Sequence, residues 1–198
     1  MKIIKDLIIY EEKIQKSTFI AQLCPVNTWQ EAKDFITQIN QENQNATHNC
    51  WAYIVGNKGE ISHSSDDGEP SGTAGKPILN ALNKYQMTNI VAVVTRYFGG
   101  IKLGIRGLID AYGGVCDRAI EQSQTEELVF KKCISITTDY DFYNILKHRI
   151  AIPELRILNT EYTDKVVLII EIHEEKLNFL FPILNEMQIR KKLEYQII

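Results

Sequence analysis

The sequence has little with which to build a metal centre, a membrane span or a general polyanion-binding surface. Its 198 residues include only 4 cysteines, Cys24, Cys50, Cys116 and Cys133, with no Cys-x-x-Cys pair. That spacing excludes paired-thiol zinc and redox motifs and reads as a set of reduced, cytoplasmic thiols, so no metal and no cofactor is expected. No apolar run approaches the roughly 20 residues that a bilayer-spanning helix needs. Met1-Lys2-Ile3-Ile4-Lys5-Asp6 also lacks the apolar core of a signal peptide, so the expectation is a cytoplasmic chain with no membrane partner. Charge of one sign is missing too. The 22 Lys and Arg stand against 25 Asp and Glu, a net charge of -3, so no global basic field holds nucleic acid, no DNA specificity is implied, and any anion site must be local. Up to residue 125 there are 12 basic and 13 acidic residues, and after it 10 and 12, so charge does not give the halves different partners.

What is present is a strong alternation of strand and helix patterns. Residues 3 to 26, rich in Ile with polar breaks at Glu11-Glu12-Lys13 and Lys16-Ser17, predict two strands joined by a turn. Thr28-Trp29-Gln30-Glu31 is a capping box opening a helix whose apolar face is Trp29, Ala32, Phe35, Ile36 and Ile39, with Asn40 to Asn45 as loop. His48 to Val55 and Glu60 to Ser65 form a hairpin across Gly56-Asn57-Lys58-Gly59. After a Gly-rich loop comes a helix with Ile78, Leu79, Leu82 and Tyr85 on one side. Asn89 to Phe98 then reads as a strand buried on both faces, and Leu103 to Gln122 as a helix in which Gly113-Gly114 permit close packing. The remainder reads strand (Leu128 to Thr137), helix (Phe142 to Ile150), strand (Leu155 to Tyr162), strand (Val166 to His173), helix (Leu177 to Met187) and strand (Lys191 to Ile198). This βαββαβ order is the split βαβ, ferredoxin-like arrangement. Phe142, Ile145 and Leu146 mark the inner face of its first helix, and Pro182 should kink its second helix or move that helix's start. The polar interval Ser123 to Glu127 marks the hinge, giving a two-domain α+β protein with domains 1–125 and 126–198.

Two Gly-rich segments carry the unusual chemistry. In Asp66-Asp67-Gly68-Glu69-Pro70-Ser71-Gly72-Thr73-Ala74-Gly75-Lys76-Pro77, the acidic start lacks the alternate ligands and the twelfth-position Glu of a calcium loop. Gly75-Lys76 lacks the earlier Gly and the following Ser or Thr of a nucleotide-binding P-loop. Two readings stay open: backbone amides gathered around an anion near the helix N-terminus, or Asp and Ser side chains that satisfy the loop's own amides. The second segment is Arg96-Tyr97-Phe98-Gly99-Gly100-Ile101-Lys102-Leu103-Gly104. With Lys76 and Arg106 it supplies cations, aromatics and bare backbone, the parts for gripping phosphate and stacking a base. Arg106, in the first turn of a helix, opposes the macrodipole unless an anion compensates, and Asp110 supplies part of that. The alternative for all four cations is ordinary solvated charge, and for Arg96, which follows a strand buried on both faces, it is also pairing with Asp66, Asp67 or Glu69 as a loop anchor. A different class of reading groups His48, Cys50, His63 and Asp66 as a small hydrolase or peptidase site, against which stand an inert core thiol and a half-buried histidine.

Ser65 to Leu79, followed by Val93-Val94-Thr95-Arg96-Tyr97-Phe98-Gly99-Gly100-Ile101-Lys102-Leu103-Gly104 and preceded by His48-Asn49-Cys50-Trp51-Ala52-Tyr53, resembles the signature of the YigZ/IMPACT family. The resemblance is strong over the first domain and topological over the second. It implies a first domain like the second domain of the small-subunit ribosomal protein five and the fourth domain of elongation factor G. It implies a second, ferredoxin-like domain similar to the fifth domain of that factor. It also implies a link with control of translation, eukaryotic members regulating a starvation-responsive kinase by binding its ribosome-associated activator. Bacterial relatives usually follow Leu-Gly with a small residue, two glycines and a Leu-hydrophobic-Arg run, where this chain has Ile105-Arg106-Gly107-Leu108-Ile109-Asp110. The expectation is a non-enzymatic regulator that binds RNA or a ribosome-associated protein. Its face comprises Lys76, Arg96, Tyr97, Gly99, Gly100, Lys102 and Arg106, beside the loop of Asp66, Asp67, Gly68, Glu69, Ser71, Gly72, Thr73 and Gly75.

Overall fold

The run Ile90-Val91-Ala92-Val93-Val94 has no polar face to give to water, and it becomes the middle of a sheet covered on both sides. In the computed structural model, which describes residues 1–198, the chain forms two compact units, Met1–Leu128 and Val129–Ile198. The elements of the first are β1 (Lys2–Ile4), β2 (Ile8–Ile14), β3 (Ser17–Pro25), α1 (Trp29–Glu42), β4 (His48–Val55), β5 (Ile61–Ser65), α2 (Gly75–Lys84), β6 (Ile90–Tyr97), α3 (Gly104–Gln122) and β7 (Thr125–Glu127). Five of its strands make an antiparallel sheet in the order β2-β3-β6-β4-β5. Because side chains alternate across a strand, Ala92 and Val94 of β6 join Ile78, Leu82, Tyr112 and Val115 of α2 and α3 on one side. Val91 and Val93 join Ala32, Ile36 and Ile39 of α1 on the other. The result is three layers with the sheet between helices.

Several local expectations shift. The Ile-rich start makes three strands rather than two, Glu11-Glu12-Lys13 lying within β2 and the tight turn falling at Gln15 and Lys16, whose φ values are +44° and +70°. The Thr28 hydroxyl accepts the Glu31 amide at 3.2 Å, but Glu31 reaches back to the amide of Asn27, at 2.8 Å, rather than to that of Thr28. Helix α1 runs on through Asn40 to Glu42, and of its expected apolar face Ala32, Ile36 and Ile39 are buried and Phe35 packs beside them, while Trp29 is exposed. Gly113 sets no unusually close helix crossing: a Cβ there would meet Pro77 at an ordinary 3.6 Å. The interval read as a hinge is ordered. Ile3 pairs with Glu126 in a two-stranded antiparallel sheet of β1 and β7, and Leu128 donates to the Met1 carbonyl at 2.9 Å, so the first unit extends three residues past 125.

The second unit consists of β8 (Lys131–Thr138), α4 (Tyr140–Arg149), β9 (Arg156–Tyr162), β10 (Val166–His173), a short 3₁₀ turn at 174–176, α5 (Leu177–Ile189) and β11 (Leu193–Ile197). This is the βαββαβ order, with an antiparallel sheet arranged β11-β8-β10-β9. Ile134, Ile136, Leu168 and Ile170 face Leu146, Leu180 and Leu184, which leaves β10 alternately buried and half-buried. Ile145 is exposed, outside the inner face expected for α4. Pro182 does not move the start of α5, which continues through it.

A self-satisfied loop and an apolar cleft in the first unit

Helix α2 begins at Gly75 after Ala74, a residue with no side chain able to cap it. Asp66 does so from a distance. Its carboxylate accepts the amides of Gly72 at 2.8 Å, Ala74 at 3.0 Å and Gly75 at 2.8 Å. Burial alone would raise this carboxyl, but the amides of Gly72, Gly75 and Ala74 outweigh it and hold Asp66 below its ordinary value. The amides of Gly72, Ala74 and Gly75 are therefore occupied by the loop's own carboxylate, the arrangement expected of a loop that satisfies itself. Gly75 is required by space: a Cβ would stand 2.6 Å from the Ser65 carbonyl oxygen. Asp67 accepts the Asn49 amide at 2.6 Å, and its carbonyl lies 2.7 Å from Nδ1 of His48, which must donate there. Thr73 is buried and donates to the Pro70 carbonyl at 2.7 Å, whereas Ser71 and Lys76 are exposed.

Arg96, near the end of β6, is a loop anchor. Its guanidinium donates to Glu69 Oε1 at 2.6 Å, and the same oxygen accepts the Tyr112 hydroxyl at 2.9 Å. Arg96 and Glu69 are 5% and 8% exposed, and the guanidinium lies between the rings of Phe19 and Phe98, 5.4 and 5.3 Å from their centroids. Removing either partner of so deep an ion pair would leave a buried charge. Nε of Arg96 has no hydrogen-bond partner. Tyr97 turns away and donates to Asn43 at 2.8 Å. Gly99 lets the chain pass against the β2–β3 turn, since a Cβ there would lie 1.8 Å from the Lys16 carbonyl oxygen.

Beside this pair lies a cleft of about 400 Å³. His48, Glu69 and Arg96 give it polar lining, Phe98, Leu103, Ile105 and Leu108 apolar lining, and Lys102 also borders it. Of the four cations singled out in the sequence, Arg96 and Lys102 share this cleft and Lys76 and Arg106 do not line it; Arg96 is already neutralised by Glu69. Tyr112 was not foreseen as a site residue. Its one signal was a hydroxyl on the buried face of α3, which needs a partner.

The hydrolase grouping does not assemble. His63 pairs with Tyr53, their rings 5.5 Å apart, on the α1 side of the sheet, while Cys50 belongs to the core on the opposite side. The Cys50 thiol donates to the Asp66 carbonyl at 2.9 Å, and burial pushes its pKa up to about 12, the reverse of what a nucleophile needs. No helix is long and apolar enough to cross a membrane.

The Impact N-terminal domain family matches residues 15–120, the stretch that contains both Gly-rich segments and the cleft. IMPACT family member YvyE of Bacillus subtilis is 36% identical over 184 residues, covering 93% of this chain and 85% of that protein. IMPACT family member YigZ of Escherichia coli is 35% identical over 159 residues, covering 79% and 78%. A crystal structure of a hypothetical protein, 31% identical, superposes with a TM-score of 0.62 and covers 100% of this chain and 96% of that one. On the family match and on identity across most of its length, this chain belongs to the IMPACT family.

Proposed function

We propose that this protein is a cytoplasmic, non-enzymatic regulator associated with translation, and that it engages RNA or a ribosome-associated protein through the second Gly-rich junction of its first unit. Membership of a family linked with translational control supports the first half of this reading. One observation carries the second: Phe98, Lys102 and Ile105 line the cleft and are exposed, and their chain neighbours Ile101 and Arg106 are exposed as well, on a protein whose net charge is negative. The same reading takes the first unit as a counterpart of the fourth domain of elongation factor G and the second unit as a counterpart of the fifth. Such likeness of fold raises the expectation of a ribosomal setting without supplying the site, which has to come from these residues. Sedimentation of cell extract through a sucrose gradient, with and without nuclease, tests it. The protein should travel with ribosomal particles, and Lys102→Glu with Arg106→Glu should return it to the top of the gradient. A wild-type protein that stays at the top in extracts of growing and of starved cells would defeat the reading.

A further inference from the structure

The two helices that follow the Gly-rich segments begin differently. The first turn of α2 receives the carboxylate of Asp66. Helix α3 has no side-chain cap and no acidic residue in its first turn, and its N-cap is Leu103. Lys102 precedes that N-terminus and Arg106 lies within its first turn, both exposed, so two cations sit where the macrodipole already favours an anion. Around them Phe98, Ile101, Ile105 and Ile109 are 45, 40, 66 and 40% exposed. Ile105 and Ile109 lie one turn apart on one face of α3, and Phe98, Leu103 and Ile105 also line the cleft. Arg96, 5% exposed, also lines that cleft and keeps an Nε without a partner.

Resting on the reading above, we infer that the partner at this junction is an acidic, amphipathic protein segment. It places one large apolar or aromatic side chain in the cleft and its carboxylates against Lys102, Arg106 and the open end of α3. The chemistry separates this occupant from RNA. Phe98 is one exposed ring among three isoleucines that present no π-face on which a base can stack, and an RNA-binding groove is built from many cations, whereas here two act beside the opposing charge of Asp110. Exposed aliphatic side chains at i and i+4 beside an apolar cleft are what an amphipathic helix or strand buries, with the polar rim giving orientation. Carboxylates complete the match, because they meet both cations and supply to α3 what Asp66 supplies to α2.

Selection of random 15-residue peptides displayed on phage against the immobilised full-length protein tests this, followed by fluorescence anisotropy with the enriched peptides and with a 15-nucleotide single-stranded RNA. The expected consensus has one bulky apolar anchor flanked by Asp and Glu. Its binding should weaken at least about tenfold in Ile105→Asp, and several-fold in Lys102→Glu, with the loss largest at low salt. Both positions face solvent, so the melting temperatures should stay near that of the wild type. Failure to enrich any peptide family, enrichment without acidic residues, or peptide binding untouched by Ile105→Asp would overturn the inference. So would RNA binding that Lys102→Glu abolishes while no peptide competes. Ribosomal sedimentation that persists while the peptide selection fails would leave the translational reading standing and remove this occupant, and the converse result would do the opposite.

Discussion

Two junctions in the first unit start from similar material and end in opposite states. Asp66 to Gly75 leads into α2, and Tyr97 to Gly104 leads into α3; both are rich in glycine and both feed a helix with no residue at the N-cap that can cap it. At the first, a carboxylate within the loop takes the helix amides and Glu69 takes the guanidinium of Arg96. At the second, nothing closes the end, and the flanking side chains are cations and bulky aliphatics in water. A Gly-rich turn into a helix therefore does not by itself make an anion site. What decides is whether the chain contributes its own carboxylate.

The largest effect should come from the contact that joins the two junctions. Arg96 leaves β6 just before the second loop and holds Glu69 of the first, so Arg96→Ala strands a carboxylate that is 8% exposed. A loss of about 3–5 kcal/mol is expected, as for other buried pairs broken on one side. Urea unfolding followed by hydrogen exchange should show the loss within Met1–Leu128 and little change within Val129–Ile198. A loss below about 1 kcal/mol would mean that the pair is no anchor.

Asp66 is the next test. Asp66→Ala removes the acceptor of three amides and should destabilise by about 1–2 kcal/mol, the scale of a lost helix cap. Asp66→Asn keeps one oxygen and should cost less, but it alters the pH dependence. The folded carboxyl is held below its ordinary value of 3.8, so its contribution is complete above that pH and disappears as pH falls through the folded value. Wild-type stability should consequently fall more steeply than that of Asp66→Asn as the pH is lowered below 3.8. Parallel acid profiles would show that the amides do not favour the charged form.

Much of the framework could be read from local pattern; the anchor could be read only as one alternative for Arg96 with three candidate acids, and without Tyr112. The continuous apolar run of β6, the Gly56 to Gly59 hairpin and the Thr28–Glu31 cap all depend on residues within a few positions of one another. Glu69, Arg96 and Tyr112 are separated by 27 and 43 positions from their partners, and only the folded sheet brings them together. The helical continuation Asn40 to Glu42 looked like loop because it has no apolar face, yet a solvent-facing turn needs none. The sequence Thr125-Glu126-Glu127 has little strand propensity, and its pairing with β1 from the opposite end of the unit leaves no local trace. Arg96 was legible in two roles, an open anion contact or a loop anchor held by Asp66, Asp67 or Glu69, and its burial against Glu69 favours the anchor.

The smallest effect discriminates best between the two junctions, because one substitution should act with opposite signs on stability and on binding. Arg106→Glu places a carboxylate in the first turn of α3, where the dipole should contribute about 0.3–1 kcal/mol. Asp110, one turn on, repels the new charge and loses the attraction of Arg106, about 0.2–0.5 kcal/mol each. Removal of the cation from the positive helix end offsets part of this, leaving a net gain of a few tenths. At low salt the variant should therefore unfold at slightly higher urea than wild type, while it loses affinity for the acidic segment inferred above. If the open end of α3 is instead only solvated surface, the stability gain should appear and binding should not change. A loss of stability would mean that Arg106 already has a stabilising partner, and the contrast with α2 would fail at its simplest point.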